Sequence, residues 1–121
     1  MLYDRSLTGL PNFIEGRLHR KIGALARHGC LHQKIGITNN PAKRWPRHRQ
    51  AGWHRMDVIY RSDSHHDVVY LERRLIERFE NGLTVTPGYY YNAVGGGGGR
   101  LPRQGPYFVY VIGARPYARL G

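Results

Sequence analysis

One acidic residue occupies a position where a charge is costly. Residues 65–80 have the apolar spacing of a helix, with the apolar side chains gathered on one face. Glu72 falls inside that face, which is formed by Val68, Leu71, Leu75, Ile76 and Phe79. A carboxylate there must have a partner, hold a metal or shift its pKa. Glu72 is therefore either half of a structural salt bridge at the edge of the core, or a metal ligand or catalytic acid at the bottom of a cleft.

A second group of residues that could bind phosphate or take part in catalysis lies upstream of Glu72. Arg44 and His48 are four residues apart, so they share a face if this segment is helical. Other cations and an aromatic residue surround them, namely Lys43, Trp45, Arg47 and Arg49. Such a run forms either a solvated basic face or a cationic surface that grips phosphates and aims Arg44 and His48 into a site.

Periodicity and turn residues predict the elements that position these side chains. Helices are predicted over 11–29, 41–51 and 65–80, and strands over 31–38, 56–60 and 107–112. The apolar face of the first helix comprises Phe13, Ile14, Leu18, Ile22, Leu25 and Ala26. Asn39-Asn40-Pro41 can start the second helix, because asparagine caps well and proline suits the first turn, and Ser62 or Ser64 can cap the third. Pro46 predicts a kink or an early end in the second helix, and residues 81–103 are predicted to be a loop.

Length and charge narrow the class of protein. The chain has 121 residues, which suits one domain, and its formal net charge is +11. A domain this basic is expected to meet an acidic partner such as nucleic acid. Cys30 is the only cysteine, so it cannot form an intramolecular disulfide. We expect a soluble cytoplasmic protein that makes no membrane contact, either a monomer or a dimer.

Several motifs in order resemble the GIY-YIG nuclease domains. Residues 34–41 (KIGITNNP), followed by Arg44 and His48, resemble the second motif of that family and the helix after it. The strand at 56–60 and the helix containing Glu72 resemble the third strand and the helix that carries the family's metal-binding glutamate. Asn92, which is followed by Ala93-Val94 and glycines, resembles the family's asparagine.

Two departures from the family pattern matter. Lys34 stands where the second motif has a tyrosine, and no GIY-like strand directly precedes residue 31. The segment that resembles the missing strand is at 107–112, which implies a circular permutation with Tyr110 in the first motif. Met1 to Tyr3 is the alternative, with Tyr3 in that role.

The resemblance implies a fold and a domain plan. The expected fold is α+β, with a small, mainly antiparallel three-stranded sheet flanked by helices. The last strand should lie beside residues 31–38. One domain is expected over 1–121, with an N-terminal helical segment at 1–30, core motifs at 31–96 and the C-terminal strand at 104–113.

The resemblance also implies a reaction, which is metal-dependent hydrolysis of DNA phosphodiester bonds. Glu72 would hold one divalent ion, Mg²⁺ or alternatively Mn²⁺. Tyr110 would take a proton from water, and Lys34 would lower the pKa of that phenol. Arg44 would stabilise charge on the phosphoryl group, while His48 and Asn92 would orient the reacting groups.

Binding to DNA would run mainly through backbone phosphates. The cations expected to make these contacts are Lys43, Arg47, Arg49, Arg55, Arg73, Arg100 and Arg103. Two other functions stay open: a GIY-YIG-like nucleic-acid-binding module without catalysis, and a basic protein associated with RNA or the ribosome.

Overall fold

A computed structural model describes residues 1–29, 32–80, 89–90, 101 and 103–115. The elements are β1 (Leu2–Leu7), α1 (Pro11–Arg27), β2 (His32–Thr38), α2 (Pro41–Gln50), β3 (Arg55–Ser62), α3 (His65–Glu80), β4 (Tyr89–Tyr90) and β5 (Tyr107–Ala114). The three predicted helices and the three predicted strands are therefore all present. Cys30, Asn92, Arg100 and the glycine run at 95–99 lie outside the described residues, and the single-domain plan stays a prediction.

The sheet has the strand order β1-β3-β5-β2-β4. Its centre is antiparallel, because β5 pairs with β2 on one side and with β3 on the other. The predicted α+β class and the pairing of the last strand with β2 are thus confirmed. The sheet has more strands than the three that were expected. Strand β1 pairs with β3, and the two-residue β4 pairs with β2, both in parallel.

The N-terminal segment differs from the helical stretch expected at 1–30. Its first residues form β1, an edge strand in which Asp4 and Arg5 are exposed. Helix α1 begins at Pro11, and the chain leaves it at Gly29, whose φ of +103° favours glycine. Phe13, predicted to be buried, is 80% exposed. The reason is that the buried stripe runs through Ile14 and residues at later turns, about 100° away from Phe13.

Helix α2 does not end at Pro46. It continues to Gln50, with Asn40 as the N-terminal cap, whose side-chain oxygen accepts from the Lys43 amide at 3.1 Å. Proline removes one backbone hydrogen bond within the helix, and the buried indole of Trp45 anchors the adjacent position. Helix α3 matches its predicted bounds and has the predicted serine cap, since the Ser64 hydroxyl accepts from the Asp67 amide at 3.2 Å.

Two apolar clusters lie on opposite faces of the sheet. The larger one joins α1 and α3 to side chains such as Ile35, Val109 and Val111. The smaller one comprises Trp45, Trp53, Met56, Tyr110, Ile112 and Ala114. Successive residues of a strand point to opposite faces, so Tyr110 lies on the α2 face. None of the helices in the described part of the chain combines the length and apolar character needed to span a membrane.

Candidate active site

The centre of the site is a close approach between β2 and β5. Gly36 is the cross-strand partner of Tyr110, and the tyrosine ring lies directly over it. A Cβ atom added to Gly36 would be 2.5 Å from both Cζ and the hydroxyl oxygen of Tyr110. The Tyr110 hydroxyl lies 2.9 Å from Nε2 of His48 on α2. A glycine on one strand therefore lets a buried phenol on the next strand reach a histidine.

This packing predicts a large cost for a single methyl group at residue 36. Gly36→Ala should lower the free energy of unfolding by about 1–3 kcal/mol, because Tyr110 is 3% exposed and has little room to move. Chemical unfolding in urea measures the change. Gly16→Ala is the matched control, since no atom lies within 4 Å of the added methyl and α1 should gain stability. An unchanged stability in Gly36→Ala would mean that the ring does not cover residue 36.

His48 is held in its neutral form. Burial is the main cause that lowers its pKa to about 4, and the positive charges of Lys34 and Arg44 lower it further. Lys34 pairs with Ile112 across the strands, so it projects from the same face as Gly36 and Tyr110. A neutral imidazole keeps one nitrogen as an acceptor. His48 can therefore accept the hydroxyl proton of Tyr110 in a hydrogen bond.

Tyr110 is a weak acid in this setting. Burial raises the pKa of its phenol to about 12, the negative charge of Glu72 also raises it, and Arg44 opposes both by its charge and by hydrogen bonding. The net change is upward, opposite to the lowering expected from Lys34. The cation that acts on the phenol is Arg44 of α2. Lys34 acts instead on His48.

Glu72 is buried in the apolar face of α3, as predicted. It is 6% exposed, and its Oε2 is a buried oxygen with no hydrogen-bond partner within the described residues. Burial raises the pKa of this carboxyl to about 7. The salt-bridge interpretation has no support, since none of the ion pairs formed by the described residues includes Glu72. The carboxyl group is thus partly protonated at neutral pH, and its buried Oε2 has no compensating partner among the described residues.

If a divalent ion bound here, Glu72 would be its single ligand among the described acidic side chains. No group of three or more histidine, cysteine or acidic side chains in the described part of the chain could hold a metal together. Mg²⁺ commonly retains several waters and takes only one or two carboxylates, with substrate phosphate completing its shell. Such an ion would depend on water and on a substrate phosphate for the rest of its ligands.

The buried carboxyl has a consequence for stability. Because the folded-state pKa of Glu72 lies above its ordinary value of 4.5, folding favours the protonated form. Stability should fall by about 3 kcal/mol as pH rises from the ordinary pKa to about 7, in the absence of metal. Glu72→Gln removes this loss. The free energy of unfolding of the variant, relative to that of the wild-type protein, should therefore increase between pH 4.5 and about 7. Urea unfolding in EDTA at several pH values tests this, and a difference that is independent of pH would contradict it.

A polar pocket adjoins the Tyr110 centre. Its volume is about 150 Å³, and it is lined by Thr38, Asn39, Asn40, Lys43, Arg44 and Arg47. Three of these residues carry positive charge and none carries negative charge, so the pocket suits an anion the size of a phosphate. Arg44 is shared between this pocket and the Tyr110 hydroxyl. Thr38 was missed in the sequence, although its alternation with Lys34 and Gly36 placed it on this face.

The other cations expected to bind DNA are spread over the surface. Lys43 and Arg47 line the pocket, and the exposed Arg49 follows them on α2. Arg73 and Arg103 are exposed elsewhere, on α3 and before β5. Arg55 on β3 and Tyr3 on β1, the alternative first-motif tyrosine, are not part of the site. They contact each other, and Arg55 is also paired with Asp57.

One further acidic residue sets the position of α3. Glu15 on α1 is buried and accepts hydrogen bonds from Nε of Arg74 at 3.0 Å and from Nε of Arg78 at 2.6 Å. These two bonds hold α3 against α1 and so fix the helix that carries Glu72. Glu15 was not singled out in the sequence, but it lies within the apolar stripe of α1, the same signal that marked Glu72.

The site therefore joins a phenol from β5 with a neutral imidazole and a guanidinium from α2. The buried carboxyl of Glu72 is on α3, which packs against the other face of the sheet, and it acts on the phenol through its charge. Comparison of this chain with protein-family models, with curated proteins and with solved structures finds no match in any of the three.

Proposed function

We propose that this protein is a Mg²⁺-dependent endonuclease that hydrolyses DNA phosphodiester bonds by a GIY-YIG-type mechanism. The observation that carries the proposal is the approach of Tyr110 to His48 over Gly36, within range of Arg44 and Glu72. These residues come from distant parts of the chain and are the ones whose motifs resemble that family. A structural tyrosine alone would not require this combination of groups.

The order of the strands supports the permuted arrangement that we propose. Strand β5 lies between β2 and β3 and pairs with both in antiparallel fashion. A strand carrying the first motif has to lie beside the second motif if both are to serve one site. Tyr110 meets this condition with respect to Gly36, whereas Tyr3 is separated from β2 by β3 and β5.

The proposed mechanism uses the side chains in distinct roles. Glu72 would hold a divalent ion, which would supply Lewis-acid chemistry to the phosphoryl group and the leaving oxygen. Since phenolate is scarce at a pKa of about 12, Tyr110 acts as a relay: it accepts a proton from the attacking water while its own hydroxyl proton passes to His48 Nε2. The negative charge of a bound phosphate favours the protonated imidazole. Arg44 stabilises charge on the phosphoryl oxygens.

Affinity for DNA comes from the cations around the site in this proposal. The pocket formed by Lys43, Arg44 and Arg47 receives a backbone phosphate, and the remaining exposed arginines add contacts that are indifferent to sequence. Binding should therefore weaken steeply with salt. A cytoplasmic location accords with such a substrate and with a chain that has one cysteine.

The direct test is nicking of supercoiled plasmid DNA by the purified protein. We expect conversion to open circles in Mg²⁺ and none in EDTA, with Glu72→Gln purified in the same way as the control for contaminating nucleases. Salt-dependent DNA binding without nicking, in Mg²⁺ and in Mn²⁺, would instead favour a binding module that lacks catalysis. Lys34 in place of the family's tyrosine is the feature that favours this alternative.

A further inference from the structure

A second groove lies on the opposite side of the sheet from Tyr110. It has a volume of about 500 Å³, within the range of roughly 300–1,000 Å³ that is usual for small-ligand sites. Strands β1 and β3 form its floor, and α1 forms its wall. The residues that matter for its chemistry are Tyr3, Arg5, Lys21, Leu25, Arg55 and Asp57.

The pairing of the strands shows that this groove is separate from the candidate active site. Tyr3 is in register with Asp57, and Asp57 is in register with Val111. Cross-strand partners project from the same face of a sheet, and successive residues alternate. Val111 therefore faces α1 and α3, while Tyr110 faces α2, so a ligand in the groove makes no contact with His48 or Tyr110.

At the floor of the groove the Arg55 guanidinium lies over the Tyr3 ring. The Arg55 guanidinium carbon lies 4.3 Å from the centre of the Tyr3 ring. Two hydrogen bonds of 2.7 Å, from Nε and a terminal nitrogen of Arg55 to the Asp57 carboxylate, hold the guanidinium in place and balance the charge of Asp57. Aromatic rings and guanidinium planes are the surfaces on which unpaired bases stack.

The rim of the groove carries positive charge that no acidic residue of the lining balances. Arg5 is exposed, and Lys21 reaches across from α1 to donate to the Arg5 carbonyl at 3.1 Å. The α1 wall between Lys21 and His28 is apolar, with Ala24 and Leu25 facing the groove. A ligand that matches this surface has a flat unsaturated ring and an anionic group, which are the two parts of a nucleotide.

We propose that this groove binds a nucleotide of single-stranded nucleic acid, with its base stacked against the pair that Arg55 forms over the Tyr3 ring and its phosphate held by Arg5 and Lys21. The proposal does not depend on nuclease activity, because the groove is on the opposite face of the sheet from Tyr110, His48 and Arg44, and Glu72 is not among its lining residues. A free nucleotide offers the same chemistry, but a strand gains contacts with further residues along α1, such as His28.

The test measures binding of a fluorescently labelled oligothymidylate of about eight nucleotides to the full chain in EDTA. Arg5→Gln combined with Lys21→Gln should weaken binding by about tenfold or more, and Tyr3→Leu by about tenfold. Arg17→Gln combined with Arg20→Gln is the matched control, because it removes two exposed charges outside the groove and should cost only about two- to threefold. Far-UV circular dichroism checks that each variant is folded.

Three outcomes would overturn the proposal. Equal losses in the two double variants would mean that binding depends on net charge alone, and full affinity in Tyr3→Leu would remove the stacking role. Displacement of the oligonucleotide by thymidine monophosphate at similar concentrations would assign the groove to a free nucleotide. Because EDTA suppresses metal-dependent cleavage, the outcome of the oligonucleotide-binding assay does not depend on the outcome of the plasmid-nicking assay.

Discussion

Glu72→Gln is expected to abolish Mg²⁺-dependent nicking, with a loss of about 10³-fold or more, while the affinity for the same DNA stays within about twofold. The carboxylate is the one buried acidic group of the site, and its Oε2 has no partner among the described residues. An amide of the same shape fills the space but carries no charge to hold a divalent ion. Binding is spread over many exposed cations and should not change.

The measurement pairs two assays on the same preparations. The rate of conversion of supercoiled to open-circular plasmid gives cleavage, and retention of labelled duplex in EDTA gives binding. Glu77→Gln is the control variant, since Glu77 is on the same helix but 45% exposed and paired with Arg74. Parallel loss of binding and cleavage in Glu72→Gln would assign a structural role, and undiminished nicking would remove Glu72 from the mechanism.

The position of Glu72 could be predicted from the sequence because helical periodicity is a local property. Val68, Leu71 and Leu75 recur at helical spacing, and the buried stripe that they define includes Glu72 in the structure as it did in the sequence. The neighbouring strand β5 could be predicted for a similar reason, since its run of apolar and aromatic residues is continuous. Its pairing with β2 followed from the requirement that two motifs share one site.

Other features depend on contacts between distant residues and could not be predicted locally. Strand β1 is a parallel edge strand with exposed charges at Asp4 and Arg5, so it lacks a clear alternation of apolar residues. The high pKa of Tyr110 arises from burial beside Trp45 and Trp53, and the spacing of motifs carries no information about that burial. The sequence predicted a cation near the Tyr110 phenol, but the extent of desolvation decides whether the pKa of that phenol rises or falls.

Tyr110→Phe is expected to reduce the nicking rate by roughly 10²-fold or more, with a loss of about 1 kcal/mol in the free energy of unfolding. The ring stays in its cluster with Trp45 and Met56 and continues to cover Gly36, so the core is preserved. What is lost is the hydroxyl, and with it the 2.9 Å contact to His48 and the group that receives a proton from water. Urea unfolding and plasmid nicking separate the two effects.

If Tyr110 had only a structural role, Tyr110→Phe would give a different combination of stability and nicking rate. It would lose the same small amount of stability, because the hydrogen bond to His48 is removed in either case, and the nicking rate would not change. Tyr3→Phe is the matched control, since the Tyr3 hydroxyl contacts only the Met1 sulfur among the hydrogen bonds described for that group. Full activity in Tyr110→Phe with inactivity in Tyr3→Phe would move the first motif to the N-terminus. The permuted order of motifs would then be wrong, because β3 and β5 separate Tyr3 from the strand that carries Gly36.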